Sequence, residues 1–297
     1  MMLMVRTLLR RSLLGAVLVF GALPAAGAAE NDGVFADPSR VASIGGSLTE
    51  IVFALGRQKD LVARDSTSLY PPAALELPDV GYMRQLSPEG VLSVNPSGIL
   101  ALQGSGPREA VDVLKKASVP YIEVPETFDH EGILAKIRAV GKALGADDEA
   151  AKLASQVDAR LKAAEKLTAA VRQRKRVLFI LSMQGGKILA SGSGTAADGI
   201  IKLAGAVNAV EGYSGYKQLS DEAAVTAAPD VVLMMTGGGI AVSDAELFAS
   251  AAILQTPAGA ARKGIRMDGG YLLGFGPRTA DAVHDLAVAL YGAAIGE

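Results

Sequence analysis

The chain has 297 residues, enough for one large or two ordinary domains with a sizeable core. Half of the residues are hydrophobic and the formal net charge is −2, so the basic excess of a nucleic-acid-binding protein is missing. The sequence holds no cysteine and two histidines. This excludes disulfides, thiolate metal sites and cysteine nucleophiles, and it nearly excludes a multi-histidine metal site.

The N-terminus has the pattern of an export signal. Arg6 and the pair Arg10-Arg11 precede an apolar run, 13–23, that is too short to span a bilayer comfortably. The small residues 26–28 are typical of a cleavage site. We expect a soluble periplasmic protein cleaved near residue 28, by Sec or twin-arginine export, with an uncleaved membrane anchor as the alternative.

Beyond residue 40, apolar runs alternate with helical patterns, which predicts βαβ units and a mainly parallel sheet. The predicted strands are 41–44, 60–63, 99–102, 119–124, 177–181, 188–190 and 231–235. The predicted helices are 48–55, 87–95, 108–117, 195–204 and 279–290. Residues 182–187 and 212–217 are predicted loops. Residues 131–172 show no strand pattern and are predicted to be helical, with a break at Gly145.

One loop, 80–89, carries the most distinctive residues. Ser87 suits an N-cap, and Glu89 in the first helical turn suits the helix dipole. A helix from Ser87 followed by a buried strand places Tyr82 and Arg84 on a loop at one end of a sheet. Ligand-binding residues tend to gather in such loops.

The same pattern recurs 133 residues later in the chain. The equivalent pairs are Ser87/Ser220, Glu89/Glu222, Pro96/Pro229, Arg84/Lys217 and Met83/Tyr216. An ungapped repeat at this distance predicts two lobes of similar build whose loops face each other across a cleft. We place the lobes at 34–145 and 175–297, with a connecting helix at 146–174. One alternative is that the match reflects helix-cap and strand-entry patterns that are common in many proteins. The other is that the long helix is a layer of one domain.

Other motifs are less informative. Residues 192–197 match the dinucleotide pattern G-x-G-x-x-A but also suit a plain glycine-rich turn. The sequence contains no intact nucleophile-elbow motif, G-x-S-x-G. His130 is interpreted as a neighbour of a helix cap and His284 as a surface residue.

Tyr82 has the chemistry of an iron ligand. A phenolate is a hard anionic oxygen ligand that suits ferric iron, and Tyr is a known axial haem ligand. In an extended loop Arg84 points to the same side as Tyr82, where its charge favours the phenolate. The alternative is an ordinary packing tyrosine.

From about Arg40 to the end, the chain resembles the haem-binding proteins of bacterial haem-uptake ABC transporters. These are class III periplasmic binding proteins, related to vitamin B12 and siderophore binders, with two Rossmann-like α/β lobes joined by a single long helix. The matching motifs are 44–50, 65–72, 81–87 and 273–278. The segment 81–87, Gly-Tyr-Met-Arg-Gln-Leu-Ser, is the most specific of them.

The resemblance implies a role for each candidate residue. Tyr82 is the haem-iron ligand and Arg84 donates a hydrogen bond to it. Glu89 and Glu222 dock on the permease, one from each lobe. Some relatives stack two haems and use a His where this chain has Met183, so we expect a single haem or a sulfur contact here. The remaining pocket residues are predicted to be Met183, Tyr216 and Phe275 at the apolar faces, and Lys187, Lys217 and Arg278 at the propionates.

The resemblance implies a monomeric, non-enzymatic periplasmic protein that binds Fe(III) haem as its transported ligand, with no other cofactor. Its expected partners are an inner-membrane ABC permease with its ATPase, and an outer-membrane haem receptor system upstream. We expect no nucleic-acid partner. The alternatives are another metal chelate, such as cobalamin or a ferric siderophore, and more remotely an exported α/β enzyme.

Overall fold

The computed structural model describes residues 33–237, 242–292 and 295. The predicted export signal at 1–28 therefore lies outside the described residues. Within the part of the chain that is described, no helix combines the length and apolar character needed to cross a membrane.

The first sheet is fully parallel and has the strand order β2-β1-β3-β4. Its strands are β1 Val41–Ile44, β2 Leu61–Arg64, β3 Gly98–Leu102 and β4 Tyr121–Val124. The two central strands, β1 and β3, are buried along their whole length. Near-continuous apolar sequence in these strands reflects helices covering both faces of a parallel sheet.

The second sheet is mixed. Its strands are β5 Arg176–Gln184, β6 Lys187–Ser191, β7 Val207–Asn208, β8 Tyr216–Leu219, β9 Val231–Thr236 and β10 Gly264–Asp268. The main path is β10-β9-β5-β6-β8, and β7 pairs in parallel with the start of β5. Strands β10, β9 and β5 are parallel, whereas β6 and β8 add on in antiparallel fashion. A mainly parallel arrangement is thus confirmed for the first sheet and only in part for the second.

Helices cover the sheets. They are α1 Gly46–Ala54, α2 Pro88–Leu92, α3 Arg108–Lys116, α4 His130–Leu144, α5 Asp147–Leu167, α6 Ala196–Leu203, α7 Asp221–Ala227, α8 Asp244–Leu247, α9 Ala251–Leu254, α10 Pro257–Ala260, α11 Gly269–Leu273 and α12 Thr279–Tyr291. Strands β7, β8 and β10 and helices α8 to α11 are not predicted from the sequence. Each of these elements is at most five residues long, too short for a periodic pattern to emerge.

The long helix α5 begins after a sharp break. Gly145 adopts φ +62° and closes α4, as the predicted break requires. The buried side of α5 includes Ala154, Val157 and Leu161, and the helix packs against both α4 and α12. One apolar core runs from the first sheet through these helices to the second sheet. The sheets are built from chain on opposite sides of α5, while the exact lobe boundaries remain a prediction.

The 133-residue repeat is a structural one. The hydroxyl of Ser87 accepts from the N–H of Gly90 at the start of α2, and that of Ser220 accepts from the N–H of Ala223 at the start of α7, both at 3.2 Å. Helix α2 leads into β3, which pairs with β1, the first strand of its sheet. Helix α7 leads into β9, which pairs with β5, the first strand of the second sheet. The order β2-β1-β3-β4 is therefore matched by β7-β5-β9-β10, and the hairpin of β5 and β6 with β8 is an addition to the second sheet.

Two predicted loops are strand in the structure. Strand β5 continues to Gln184 and turns through Gly185 and Gly186, at φ +55° and +78°, into β6. Positive φ at both central residues suits a tight two-residue hairpin. Tyr216, predicted on a loop, is the first residue of strand β8.

Candidate ligand-binding site

The Tyr82 loop lies beyond the carboxyl ends of the first sheet. The carbonyl of Gly81 accepts from the N–H of Ser66 at 2.9 Å, which ties the loop to the segment after β2. The N–H of Gly106, after β3, donates to the carbonyl of Met83 at 2.8 Å. Tyr82 is 41% exposed between these two supports. Its phenol is therefore available to a ligand at the edge where open α/β sheets bind their ligands.

A buried aspartate organises this edge. Asp65 is fully buried and accepts from the N–H of Gly45 at 3.0 Å and from the hydroxyl of Ser68 at 2.7 Å. It also accepts from the backbone and hydroxyl of Thr67. Sequence reasoning missed this role, although Asp followed by Ser and Thr is a typical turn-forming pattern. Asp65 thus holds the loops after β1 and β2 together beneath Tyr82.

Arg84 is exposed on the Tyr82 loop. The hydrogen bonds among the described residues do not include one between Arg84 and Tyr82. Burial raises the pKa of Tyr216, and this is opposed by the hydroxyl of Thr195, the N–H of Ala197 and the charge of Arg84. The charge of Arg84, on the loop beyond the first sheet, therefore favours the ionised form of Tyr216 in the second.

Met183 does not face the predicted site. Leu178 and Ile180 lie on the outer face of β5, and a bulge between Ile180 and Ser182 shifts the register. An extra residue reverses the alternation of side chains. As a result Met183 joins the outer apolar cluster and is only 7% exposed. A contact between Met183 and a ligand stays a prediction, and in this structure the side chain packs in that cluster.

Phe275 is a packing residue. Its side chain is fully buried, with the ring edge-on to Phe128 at a centroid distance of 5.2 Å. Its backbone adopts φ +50°, and its carbonyl accepts from the Nζ of Lys136 at 3.0 Å. A contact between Phe275 and a ligand stays a prediction, while in this structure the ring packs against Phe128.

Arg278 is already paired. Its backbone N–H and its Nε–H donate to the two carboxylate oxygens of Glu50, each at 2.9 Å. Its guanidinium carbon lies 3.5 Å from the ring centroid of Tyr70 and 5.5 Å from that of Tyr271. Glu50, Tyr70 and Tyr271 are not predicted as site residues from the sequence. Glu50 and Arg278 end two of the motifs quoted above, but no pattern in the sequence pairs them.

The two lysines remain exposed. Lys187 begins β6 beyond the glycine turn, and Lys217 lies on the edge strand β8. The ammonium of Lys217 is 5.4 Å from the ring centroid of Tyr213. Neither lysine takes part in a salt bridge with another described residue. Both can therefore offer charge to an anionic ligand group.

Glu89 and Glu222 are exposed at the starts of α2 and α7. The hydroxyl of Ser87 donates to Glu89 at 2.8 Å and lowers the pKa of that carboxyl. The pKa of Glu222 is lowered first by its own backbone N–H and then by Ser220. Both acids are held in the charged form on the outside of the molecule.

Two surface cavities lie apart from these residues. They measure about 290 and 270 Å³, and Lys202 of α6 lines both. None of the predicted site residues lines either cavity. The predicted site residues at the carboxyl edge of the first sheet thus lie outside these two cavities.

Solved structures similar to this chain carry haem-related names. The periplasmic haem-binding protein BhuT in complex with two haems is 42% identical, has a TM-score of 0.80, and the match covers 84% of this chain and 97% of that one. The periplasmic haem-binding protein RhuT from Roseiflexus sp. RS-1, in apo form, is 37% identical with a TM-score of 0.80, covering 86% and 99%.

Curated relatives are more distant. An uncharacterized ABC transporter substrate-binding lipoprotein of Bacillus subtilis is 27% identical over 68% of this chain, and the match spans 65% of that relative, just under two thirds. The vitamin B12-binding protein of Pectobacterium atrosepticum is 27% identical over 67% of this chain and 72% of its own length.

The family model described as periplasmic binding protein matches residues 41–271, from β1 to α11. The two sheets separated by α5 match the architecture of class III periplasmic binding proteins. This chain therefore belongs to the periplasmic binding protein family.

Proposed function

We propose that this protein binds haem between its two sheets and delivers it to an inner-membrane ABC importer. The observation that carries the proposal is Tyr82, an exposed phenol at the carboxyl edge of the first sheet, with the exposed Arg84 two residues further along the same loop. Similarity to two proteins named as haem-binding supports haem as the ligand.

Each site residue then has a chemical role. The phenolate of Tyr82 ligates Fe(III), and the guanidinium of Arg84 stabilises that negative charge. Tyr216 offers an aromatic edge from the second sheet, and its ring lies 6.3 Å from that of Phe179. Lys187 and Lys217 pair with the propionates through charge-assisted hydrogen bonds. Binding and release need no catalytic step.

The test is a haemin titration followed by absorption, on the wild type and Tyr82→Phe. We expect a high-spin ferric tyrosinate-like spectrum that disappears in Tyr82→Phe. Tyr216→Phe is the matched control and keeps the spectrum. Loss of the spectrum in Tyr216→Phe alone would move the iron ligand to the second sheet. A failure of haemin to bind either protein would reject the proposal.

The second candidate ligand is another metal chelate. Similarity to a vitamin B12-binding protein favours cobalamin, and a ferric siderophore is the other chelate considered from the sequence. Competition separates these ligands, because a tenfold excess of cyanocobalamin leaves the haemin spectrum unchanged if haem is the ligand.

We propose one haem per protein, because the chain has Met183 where stacking relatives use a His. The similar BhuT structure contains two haems, so the alternative is a second haem held without that ligand. The end point of the haemin titration decides this, and saturation at two equivalents would overturn the single-haem proposal.

We also propose that Glu89 and Glu222 dock on the permease, because these exposed acids occupy equivalent places in the two halves of the molecule. Reversal of both charges to Lys is expected to abolish transporter-stimulated ATPase activity and leave haemin binding intact. Glu131→Lys, an exposed acid in the first turn of α4, is the control. Full stimulation by the double variant would reject docking at these positions.

A periplasmic location, cleavage near Ala28 and a monomeric state complete the proposal. Curated and solved relatives are named as periplasmic proteins or as a substrate-binding lipoprotein, which supports a location outside the cytoplasm. N-terminal sequencing of the exported protein tests the cleavage point, and light scattering tests the monomer.

A further inference from the structure

Two arginines occupy equivalent positions at the amino ends of the first strands of the two sheets. Arg40 precedes β1, and Arg176 is the first residue of β5. Two hydrogen bonds join Arg40 to Ser97. The N–H of Arg40 donates to the Ser97 hydroxyl at 3.1 Å, and the N–H of Ser97 donates to the Arg40 carbonyl at 2.8 Å. In the second half, the N–H of Arg176 donates to the Asp230 carboxylate and the N–H of Asp230 donates to the Arg176 carbonyl, both at 2.8 Å.

The side chains of these arginines hold the ends of the two short helices. Arg40 donates from Nε to the carbonyl of Asn95 at 3.0 Å and from Nη2 to that of Val94 at 2.7 Å, just beyond α2. Arg176 donates from Nε to the carbonyl of Ala227, the last residue of α7, at 3.0 Å. For Arg176 a guanidinium suits the site because carbonyls at a helix end carry partial negative charge, whereas Arg40 binds the turn that follows α2.

The chain leaves both helices in the same way. Asn95 adopts φ +48° and Ala228 adopts φ +42°, and a proline follows each of them. These positions again differ by 133 residues. The 133-residue repeat therefore includes the helix, its N-cap and its left-handed exit, whereas the arginines that bind the two exits are 136 residues apart.

We propose that Arg40 and Arg176 are positioning residues for permease docking. The proposal rests on the docking role proposed for Glu89 and Glu222. Helices of five and seven residues are marginal without tertiary support. The arginines tie the far ends of these helices to the sheets and so fix where the acids at the near ends stand. Two-point docking needs this, because simultaneous engagement is lost when the spacing of the two points is wrong.

The experiment measures affinity for the permease–ATPase complex in nanodiscs in a double-mutant cycle. Arg40 is exposed, so Arg40→Met removes the two side-chain bonds without opening a core. We expect Arg40→Met to weaken docking by roughly threefold to tenfold, and to add nothing in a Glu89→Lys background, because residues that act through one another are not additive. Haemin affinity stays unchanged. Arg40→Lys, which keeps one donor group, gives an intermediate affinity.

Two controls separate positioning from general effects. Arg138→Met removes the same charge from an exposed position on α4 and is expected to leave docking unchanged. Hydrogen exchange at the amides of Val91 and Ser93 is expected to quicken in Arg40→Met, because α2 loses its anchor. Should Arg40→Met fail to fold, the same cycle is run with Arg40→Lys.

Three results would overturn the proposal. Equal weakening by Arg40→Met in both backgrounds would show that Arg40 acts independently of Glu89. Normal docking by Arg40→Met, with docking by Glu89→Lys impaired, would reject positioning and keep the docking role. Normal docking by Glu89→Lys would reject the docking role itself, and the positioning proposal with it.

Discussion

Glu50 and Arg278 lie 228 residues apart in the chain and form a two-point pair, with both hydrogen bonds at 2.9 Å. Glu50 belongs to α1 beside the first sheet, and Arg278 is the N-cap residue of α12. Lys136 adds a second link, because its Nζ bonds the Phe275 carbonyl at 3.0 Å and the Glu126 carboxylate at 2.6 Å. These contacts join the two halves of the molecule in addition to α5. We expect them to restrict lobe motion, so ligand-free and haem-bound scattering profiles should be similar.

Arg278→Met is expected to destabilise the fold. It leaves the nearly buried carboxylate of Glu50 without its guanidinium partner, and breaking a buried pair by removing one member costs roughly 2 to 4 kcal/mol. Urea unfolding at pH 7 measures the loss. Glu50→Gln combined with Arg278→Met should recover part of it, because neither charge then remains. Arg138→Met is the surface control. If Arg278→Met proved as stable as Arg138→Met, the structural role of Arg278 would be contradicted.

Lys136→Met is expected to make stability depend on pH. Burial raises the pKa of Glu126, and Lys136 opposes this rise. Without Lys136 the folded-state pKa climbs further above the unfolded value of about 4.3, so folding retains a proton that the unfolded chain releases. The Lys136→Met variant should therefore be least destabilised at pH values below the unfolded pKa of Glu126. It should lose stability as the pH rises through the folded-state pKa of Glu126.

Urea unfolding of wild type and Lys136→Met from pH 4 to pH 7 tests this. Glu126→Gln in the Lys136→Met background removes the titrating group and should flatten the profile. A gap between wild type and Lys136→Met that stays constant over this range would contradict the assignment of the buried pair.

Ser87→Ala is expected to have a local effect on α2. It removes the N-cap hydroxyl, a change that costs about 1 kcal/mol in typical helices. The pKa of Glu89 should rise toward its ordinary value, because the Ser87 hydroxyl is the main cause of its depression. Carboxyl carbon NMR titration measures this shift. Ser93→Ala, which alters a hydroxyl at the other end of the helix, is the control and should leave Glu89 unchanged.

Gly199→Ala tests the packing between α6 and the segments around Phe128 and Phe275. An added Cβ would stand 2.7 Å from the Cβ of Phe128 and 2.9 Å from the Cζ of Phe275. Overpacking of this kind costs roughly 1 to 3 kcal/mol, which the better helix propensity of alanine only partly offsets. Gly212→Ala, with no atom within 4 Å of the added Cβ, is the control. Thermal unfolding should separate the two variants, and equal midpoints would rule out close packing at Gly199.

Local sequence was sufficient for elements that are determined locally. The cap at Ser87, the break at Gly145 and the helix-to-strand repeat were predicted because caps, left-handed turns and apolar runs depend on neighbouring residues. The family resemblance and the α/β class follow from the same patterns. The roles of Tyr82 as iron ligand and of Glu89 in docking remain predictions.

Only the tertiary structure decided which side chains face the site. The bulge after Ile180 turns Met183 to the outer face, and no feature of a single strand reveals such a shift because it depends on pairing with β6. Arg278 looked available to an anionic ligand in the sequence, but folding brings Glu50 to it across 228 positions. Sequence patterns report what lies within a few residues, whereas burial and ion pairing depend on contacts between distant segments, and these exist only once the chain has folded.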